Sequence, residues 1–230
     1  MKYKLRLLAA LVTALSIPLS SFAQFDGVLS LVPTGCQETG KCTLNNKLRF
    51  TDSAKVDWEA KAGLKTDGAS IPTIFQPFVG QPFKDSFVKA AVIHDHYCKN
   101  RVRPWRQTHK VFYEGLIDQG VSKAKAKIMY FAVYLGGPKW VELVPGNNCG
   151  RNCINNITTA SGKPVINHRE ADYGLFNMQL LLNDLSQELE ANPDALSLEQ
   201  IEERARAKRP NDYYYRNGHQ VKVDGPGITE

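Results

Sequence analysis

The chain has 230 residues, a formal net charge of +6 and five cysteines. Its length suits one sizeable core with an extension. Lys2, Lys4 and Arg6 lie in an N-terminal leader, so the remainder carries only +3, scattered among acidic residues, which argues against a nucleic-acid partner.

The leader has the form of a secretory signal: a basic start, an apolar run from Leu7 to Leu19, then the small residues Ser21 and Ala23. The apolar run is shorter than the roughly 20 residues needed to cross a bilayer. No cysteine follows it closely, so a lipoprotein anchor is not expected. Cleavage near Ala23 would export residues 24–230 to the periplasm or beyond, where disulfides are allowed.

Residues 24–45 are loop-rich, with Pro33, Gly35 and Gly40. Cys36 and Cys42 close a short loop there and are expected to bridge. Strands are predicted at 47–51 and 56–64; in the second, Val56, Trp58, Ala60 and Ala62 alternate with polar residues. Residues 63–72 form a turn region. Asp85 and Ser86 are placed to cap a helix over 87–99.

Pro104 opens a helix over 105–119, with Gly120 at its C-terminal end. Ser122 caps a third helix that runs to about 135 and stops at Gly136-Gly137-Pro138. Residues 138–170 read as irregular and polar. Cys149 and Cys153 are expected to form a second local bridge; a zinc site there lacks the second ligand pair it needs nearby. A helix over 175–190 carries Met178, Leu181, Leu182, Leu185 and Leu189 on one side. Ser197 and Gln200 fit a capping box for a helix that ends before Pro210. Asn217-Gly218, between Tyr213–Arg216 and 219–223, predicts a hairpin.

The expected fold class is α+β: a small N-terminal antiparallel β-sheet packed on a mainly helical core, followed by a C-terminal helical extension and hairpin. The expected organisation is a leader over 1–23, a main domain over 24–140 and an extension over 141–230.

The chemistry concentrates between Thr66 and His109. The loop T-D-G-A-S-I-P (66–72) precedes an apolar helix that reads A-A-V-I-H-D at 90–95. At 100° per residue, Phe87, Ala91, His94 and Cys98 share one stripe, with Asp95 at its boundary. His96 falls opposite, towards water, so the His94-x-His96 spacing does not make a ligand pair. In the next helix Trp105, His109, Phe112 and Leu116 form a stripe, and a helix hairpin would bring His109 to face His94. Each histidine also has a plain reading as a core residue bonded to a backbone carbonyl. Cys98 is left as a buried free thiol. Asp67 and Ser70 equally suit a tight turn, and a serine outside a G-x-S-x-G turn is a weak nucleophile signal.

These motifs, with Phe112 to Val121 and Ala126 to Gly136, resemble the bacterial and phage family called domain of unknown function thirteen-fifty-three, over about residues 45–140. That likeness implies a shared fold and brings no established activity. The family often has an aromatic at the position of Cys98 and an aspartate at that of His109. Secreted phospholipases A2 also carry a His-Asp pair on a helix, but their glycine-rich calcium loop is missing here, which leaves an analogy only.

The first functional expectation is an exported cell-envelope hydrolase acting on a lipid or peptidoglycan bond. His94 would be the general base, and Asp95 and Asp67 would orient it or hold a divalent cation such as calcium. His109 would be a second proton-transfer or positioning group, with Ser70 ranked lower as a nucleophile. The alternative is a non-catalytic binding or structural module of the envelope, in which the same residues form a buried hydrogen-bond network. A partner-binding role for the Tyr213–Arg216 tail ranks below an ordinary packed hairpin.

Overall fold

The computed structural model describes residues 23–66, 87–145, 163–174 and 177–223. The leader, the Asp85-Ser86 cap, Asp67, Ser70, Cys149 and Cys153 lie outside the described residues.

The N-terminal part builds two small antiparallel sheets. One holds β1 (Gln24–Asp26), β4 (Leu48–Thr51) and β5 (Asp57–Ala60) in the order β1-β4-β5. The other holds β2 (Leu31–Val32), β3 (Cys42–Leu44) and β6 (Lys65–Thr66) in the order β2-β3-β6. Between β2 and β3 a single turn of helix, α1 (Cys36–Thr39), is tied to β3 by the expected Cys36–Cys42 disulfide. In β4 and β5 the alternation has its predicted result. Leu48, Phe50, Trp58 and Ala60 are buried and pair across the ladder as Leu48↔Ala60 and Phe50↔Trp58. The second strand is shorter than predicted: Asp52 accepts from the backbone of Ala54 and Val56 and holds residues 52–56 as a turn, and after Ala60 the chain turns through Gly63 at φ +84°, with Leu64 N donating to Lys61 O.

Three helices follow: α2 (Val88–Asn100), α3 (Trp105–Asp118) and α4 (Lys123–Gly136). Their ends match the sequence signals within a residue or two. Pro104 precedes the first turn of α3. At its other end Gly120, with φ +77°, donates to Ile117 O while Val121 donates to Leu116 O, a Schellman closure. Ser122 accepts from Lys125 N to cap α4.

Helix α2 is buried on two sides. Phe87, Ala90 and Ala91 join a large core with Trp105, Phe112, Leu116 and α4. Val88, Val92, Ile93 and Tyr97 join a second core with Leu44, Leu48, Phe50 and Trp58. This two-sided burial corrects the single-stripe projection. His96 is half-buried beside Tyr97 rather than water-facing, and its Nδ1 is enclosed without a partner.

The C-terminal part departs most from expectation. The stretch read as irregular contains β7 (Lys139–Pro145) and β8 (Val165–Arg169), which pair antiparallel. Trp140 and Val141 are consecutive and both buried; a strand covered on both faces loses the alternation that would announce it. Helices α5 (Met178–Ala191) and α6 (Leu198–Ala207) are as predicted, including the reciprocal Ser197–Gln200 capping box. Met178, Leu182, Leu185, Leu189, Ile201 and Ala205 share the large core with α3 and α4.

Among the described residues, 213–223 do not form the expected hairpin. Tyr213–Arg216 is a helical turn, α7, capped by the Asp212 side chain at Tyr214 N. Asn217 is extended (φ −101°, ψ 156°) and not the left-handed residue that an Asn-Gly hairpin needs. Arg106 gathers the carbonyls of Tyr214, Tyr215 and Asn217 and holds this turn against α3. The last strand, β9 (Gln220–Val223), then pairs in parallel with β7, completing the sheet β8-β7-β9. The fold class is thus α+β, with small sheets ahead of a helical core and a mixed sheet in place of the hairpin.

Candidate functional site

The helix hairpin of α2 and α3 brings His94 and His109 together. His94 Nε2 lies 2.8 Å from His109 Nδ1. Cys98, one turn after His94, places Sγ 3.5 Å from the same His94 nitrogen. The far side of the His109 ring ends on the loop after α4, where Nε2 is 3.1 Å from Pro138 O.

Chemistry fixes the protons in this chain. A carbonyl only accepts, so His109 donates through Nε2, and in the neutral ring its Nδ1 must accept. His94 therefore donates through Nε2 and leaves Nδ1 unprotonated. That atom lies 3.9 Å from Asp95 Oδ1, too far for a hydrogen bond.

Burial keeps both rings neutral. It lowers the His94 pKa to about 4, although Asp95 stands nearby. At 3.9 Å and partly in solvent, the carboxylate is outweighed by desolvation of the ring. Burial also holds His109 well below its ordinary value, assisted by the neighbouring His94 and Lys139. The Cys98 thiol is pushed well above its ordinary value, again mainly by burial and then by Asp95.

Gly137 makes the loop contact possible. A Cβ there would drive into Val133 O and stand 3.1 Å from His109 Cε1. The Gly-Gly-Pro sequence, read only as a helix stop, therefore also presents Pro138 O to His109.

Asp95 occupies the boundary. Its side chain is 30% exposed, against 9% for His94. Thr66, the first residue of the T-D-G-A-S-I-P loop, donates Oγ1–H to Asp95 Oδ2 at 3.3 Å. Strand β6 and helix α2 thus meet at this carboxylate. Asp95 and Cys98 line a cleft of about 500 Å³ together with Lys65, Lys99, Arg101 and Glu170, with Leu64 and Pro138 completing it. A second hollow, about 600 Å³, lies on the outer side of α3 beside Tyr113 and Ile117. Its carboxylates are engaged, Glu114 by Ser53 and Asp118 by Phe25 N.

Of the predicted site residues, His94, Asp95 and His109 are brought together, while Asp67 and Ser70 lie outside the described residues. Cys98, which the sequence presents only as a packing residue, joins His94 and His109 in one cluster. The signal was present in the i, i+4 spacing of His94 and Cys98 opposite His109.

Residues 42–133 match the family described as "Protein of unknown function (DUF1353)". The resemblance drawn from the motifs holds over that segment, which spans β3 to α4 and includes the whole His94–Cys98–His109 cluster. Two relatives come from Sinorhizobium fredii (strain NBRC 101917 / NGR234). "Uncharacterized protein y4iH" is 50% identical over 46% of this chain and 45% of its own length. "Uncharacterized protein y4jT" is 33% identical over 72% of this chain and 54% of its own length. The chain thus spans about half the length of these curated relatives. No solved structure matches.

Proposed function

We propose that this chain is an exported hydrolase of the cell envelope, acting on a lipid or peptidoglycan bond in the Asp95 cleft. The observation that carries the reading is the seating of Asp95, a partly exposed carboxylate in a polar cleft with two neutral imidazoles directly behind it. A carboxylate that meets solvent is placed to take a proton from water, whereas His94 is enclosed and its Nε2 committed to His109. Lys65 and Lys99 suit an anionic substrate, such as a phospholipid headgroup or a peptide-stem carboxylate, while Arg101 pairs with Glu170 at the same cleft. The Cys36–Cys42 disulfide is compatible with an oxidising compartment, and the leader supports export.

The test is hydrolysis of anionic phospholipid vesicles and of purified peptidoglycan by the mature protein. Asp95→Asn should lower the rate on the order of 100-fold or more with the fold intact. Full activity in a folded Asp95→Asn protein, or no hydrolysis of either substrate by the wild type, would overturn the reading.

One observation favours the non-catalytic alternative. His109 is fully buried and each of its nitrogens already has a partner, as in a network that fixes a fold. That reading expects an inert protein in both assays.

A further inference from the structure

We infer that His94, Cys98 and His109 form a binding site for one zinc-type divalent transition-metal ion. The inference goes beyond the hydrolase reading and does not depend on it.

The donors come from two rigid helices. His94 and Cys98 are one turn apart on α2, and His109 projects from α3. Nε2 of His94, Sγ of Cys98 and Nδ1 of His109 all lie within 4.8 Å of one another. Around tetrahedral zinc, with bonds of about 2.0–2.3 Å, nitrogen donors sit about 3.3 Å apart and nitrogen and sulfur about 3.6 Å. The 3.5 Å between Cys98 Sγ and His94 Nε2 already fits, and Cys98 Sγ lies within 4.8 Å of His109 Nδ1, a gap that side-chain rotation has to close by up to about 1.2 Å. The 2.8 Å between the two rings is a hydrogen-bond distance, and parting them by about half an ångström would admit the ion. One proton on His94 Nε2 now sits where the cation would go.

The surroundings are those of a ligand shell. Metal-bound imidazoles donate their other N–H to a carbonyl or a carboxylate. His109 already does so, through Nε2 to Pro138 O. His94 Nδ1 lies 3.9 Å from Asp95 Oδ1. On binding, the His94 proton moves from Nε2 to Nδ1, where Asp95 can accept it, and the Cys98 thiol gives up its proton. One proton is released per ion, and no electron is transferred. Cys98, Asp95 and Pro138 all line the cleft, which supplies an entry path and a side for a fourth ligand. Two imidazoles and a thiolate select zinc, cobalt or a similar ion over calcium or magnesium, which take oxygen.

The experiment uses the mature protein, stripped with chelator under reducing conditions and titrated with Co2+, then with Zn2+. The expected result is one ion per chain, a sulfur-to-cobalt charge-transfer band with ligand-field bands of four-coordination, and displacement by Zn2+. Cys98→Ser should abolish the charge-transfer band, and His109→Asn should weaken Zn2+ binding on the order of 100-fold, with unchanged circular dichroism. The Cys149→Ser/Cys153→Ser double variant should keep the band. No band in folded wild type, or a band that survives Cys98→Ser, would overturn the inference. Since binding is read spectroscopically, a protein that binds the ion but hydrolyses nothing removes the hydrolase reading alone.

Discussion

Two polar sites in this core meet at Gly137, and they are built on opposite plans. At Lys139, on β7, the side chain is fully buried, and Nζ donates to Leu135 O at 3.1 Å and Gly137 O at 3.3 Å. The faces of Trp105 and Tyr215 lie 5.2 and 5.1 Å from it. One donor is surrounded by acceptors and π-faces, a closed arrangement that asks for nothing more. At His94, Cys98 and His109 three side chains that can each offer a lone pair converge on one point, with a single proton between the rings. The first site consumes its polar group in holding the fold. The second is satisfied but convertible: a cation would replace the proton on His94 Nε2, which shifts to Nδ1, and the Cys98 thiol proton, while the His109 bond to Pro138 O stays in place. Burial alone therefore does not separate a scaffold residue from a functional one; the direction in which the lone pairs point does.

The largest effect should come from removing His109. His109→Ala takes a fully buried ring from among Trp105, Trp140 and His94 and strips partners from both His94 Nε2 and Pro138 O. A loss of about 3–4 kcal/mol is expected, read as a fall in urea midpoint at unchanged m-value. A loss below about 1 kcal/mol would mean that the two rings do not support each other, and the contrast with Lys139 would fail.

Lys139 offers a pH signature. Burial lowers its pKa to about 7 from 10.5. Between those values the unfolded chain holds a proton that the folded protein has released, so stability rises with pH across the window and the cost of burial is complete below pH 7. Lys139→Met should remove that slope: relative to the wild type it gains stability at pH 6 and loses the gain by about pH 10. Parallel curves for the two proteins from pH 6 to 10 would show that the amine is not desolvated as described.

Local signals made the helices readable. Ser122, Gly120 and the Ser197–Gln200 box act within one turn, and the facing of His94 and His109 followed from two apolar stripes on consecutive helices. What escaped was set by distant partners. Helix α2 is wedged between two cores, so one projection could not place His96. Strand β7 is covered on both faces and holds a lysine, and it became legible only through its neighbours β8 and β9. Asn217-Gly218 carries a strong turn signal, yet the Arg106 guanidinium captures the preceding carbonyls and tertiary contacts prevail. Cys98 is not legible as more than a packing residue, because a thiol on an apolar face has the same sequence signature whether it only packs or also binds.

Gly137 connects the two sites, since its carbonyl accepts from Lys139 while its missing Cβ leaves room for His109. Gly137→Ala should cost about 1–3 kcal/mol through overpacking against Val133 O. It should also displace Pro138 O, which would appear as an altered ring-nitrogen shift of His109 in NMR. A stable variant with unchanged histidine signals would show that the loop can adjust without disturbing the pair.

The smallest stability effect is expected at Asp95, and it sharpens the comparison most. Its carboxylate is partly exposed, receives a 3.3 Å bond from Thr66 and makes no hydrogen bond to His94. Asp95→Asn keeps the shape and an acceptor oxygen for Thr66, so stability should change by no more than about 1 kcal/mol. Hydrolysis, by contrast, should fall on the order of 100-fold. If Asp95 belonged to a closed scaffold like that around Lys139, the substitution would move the melting temperature and leave any activity untouched. Thermal unfolding and turnover measured on one preparation separate the two plans, because a residue that faces a cleft can lose its chemistry while the fold remains.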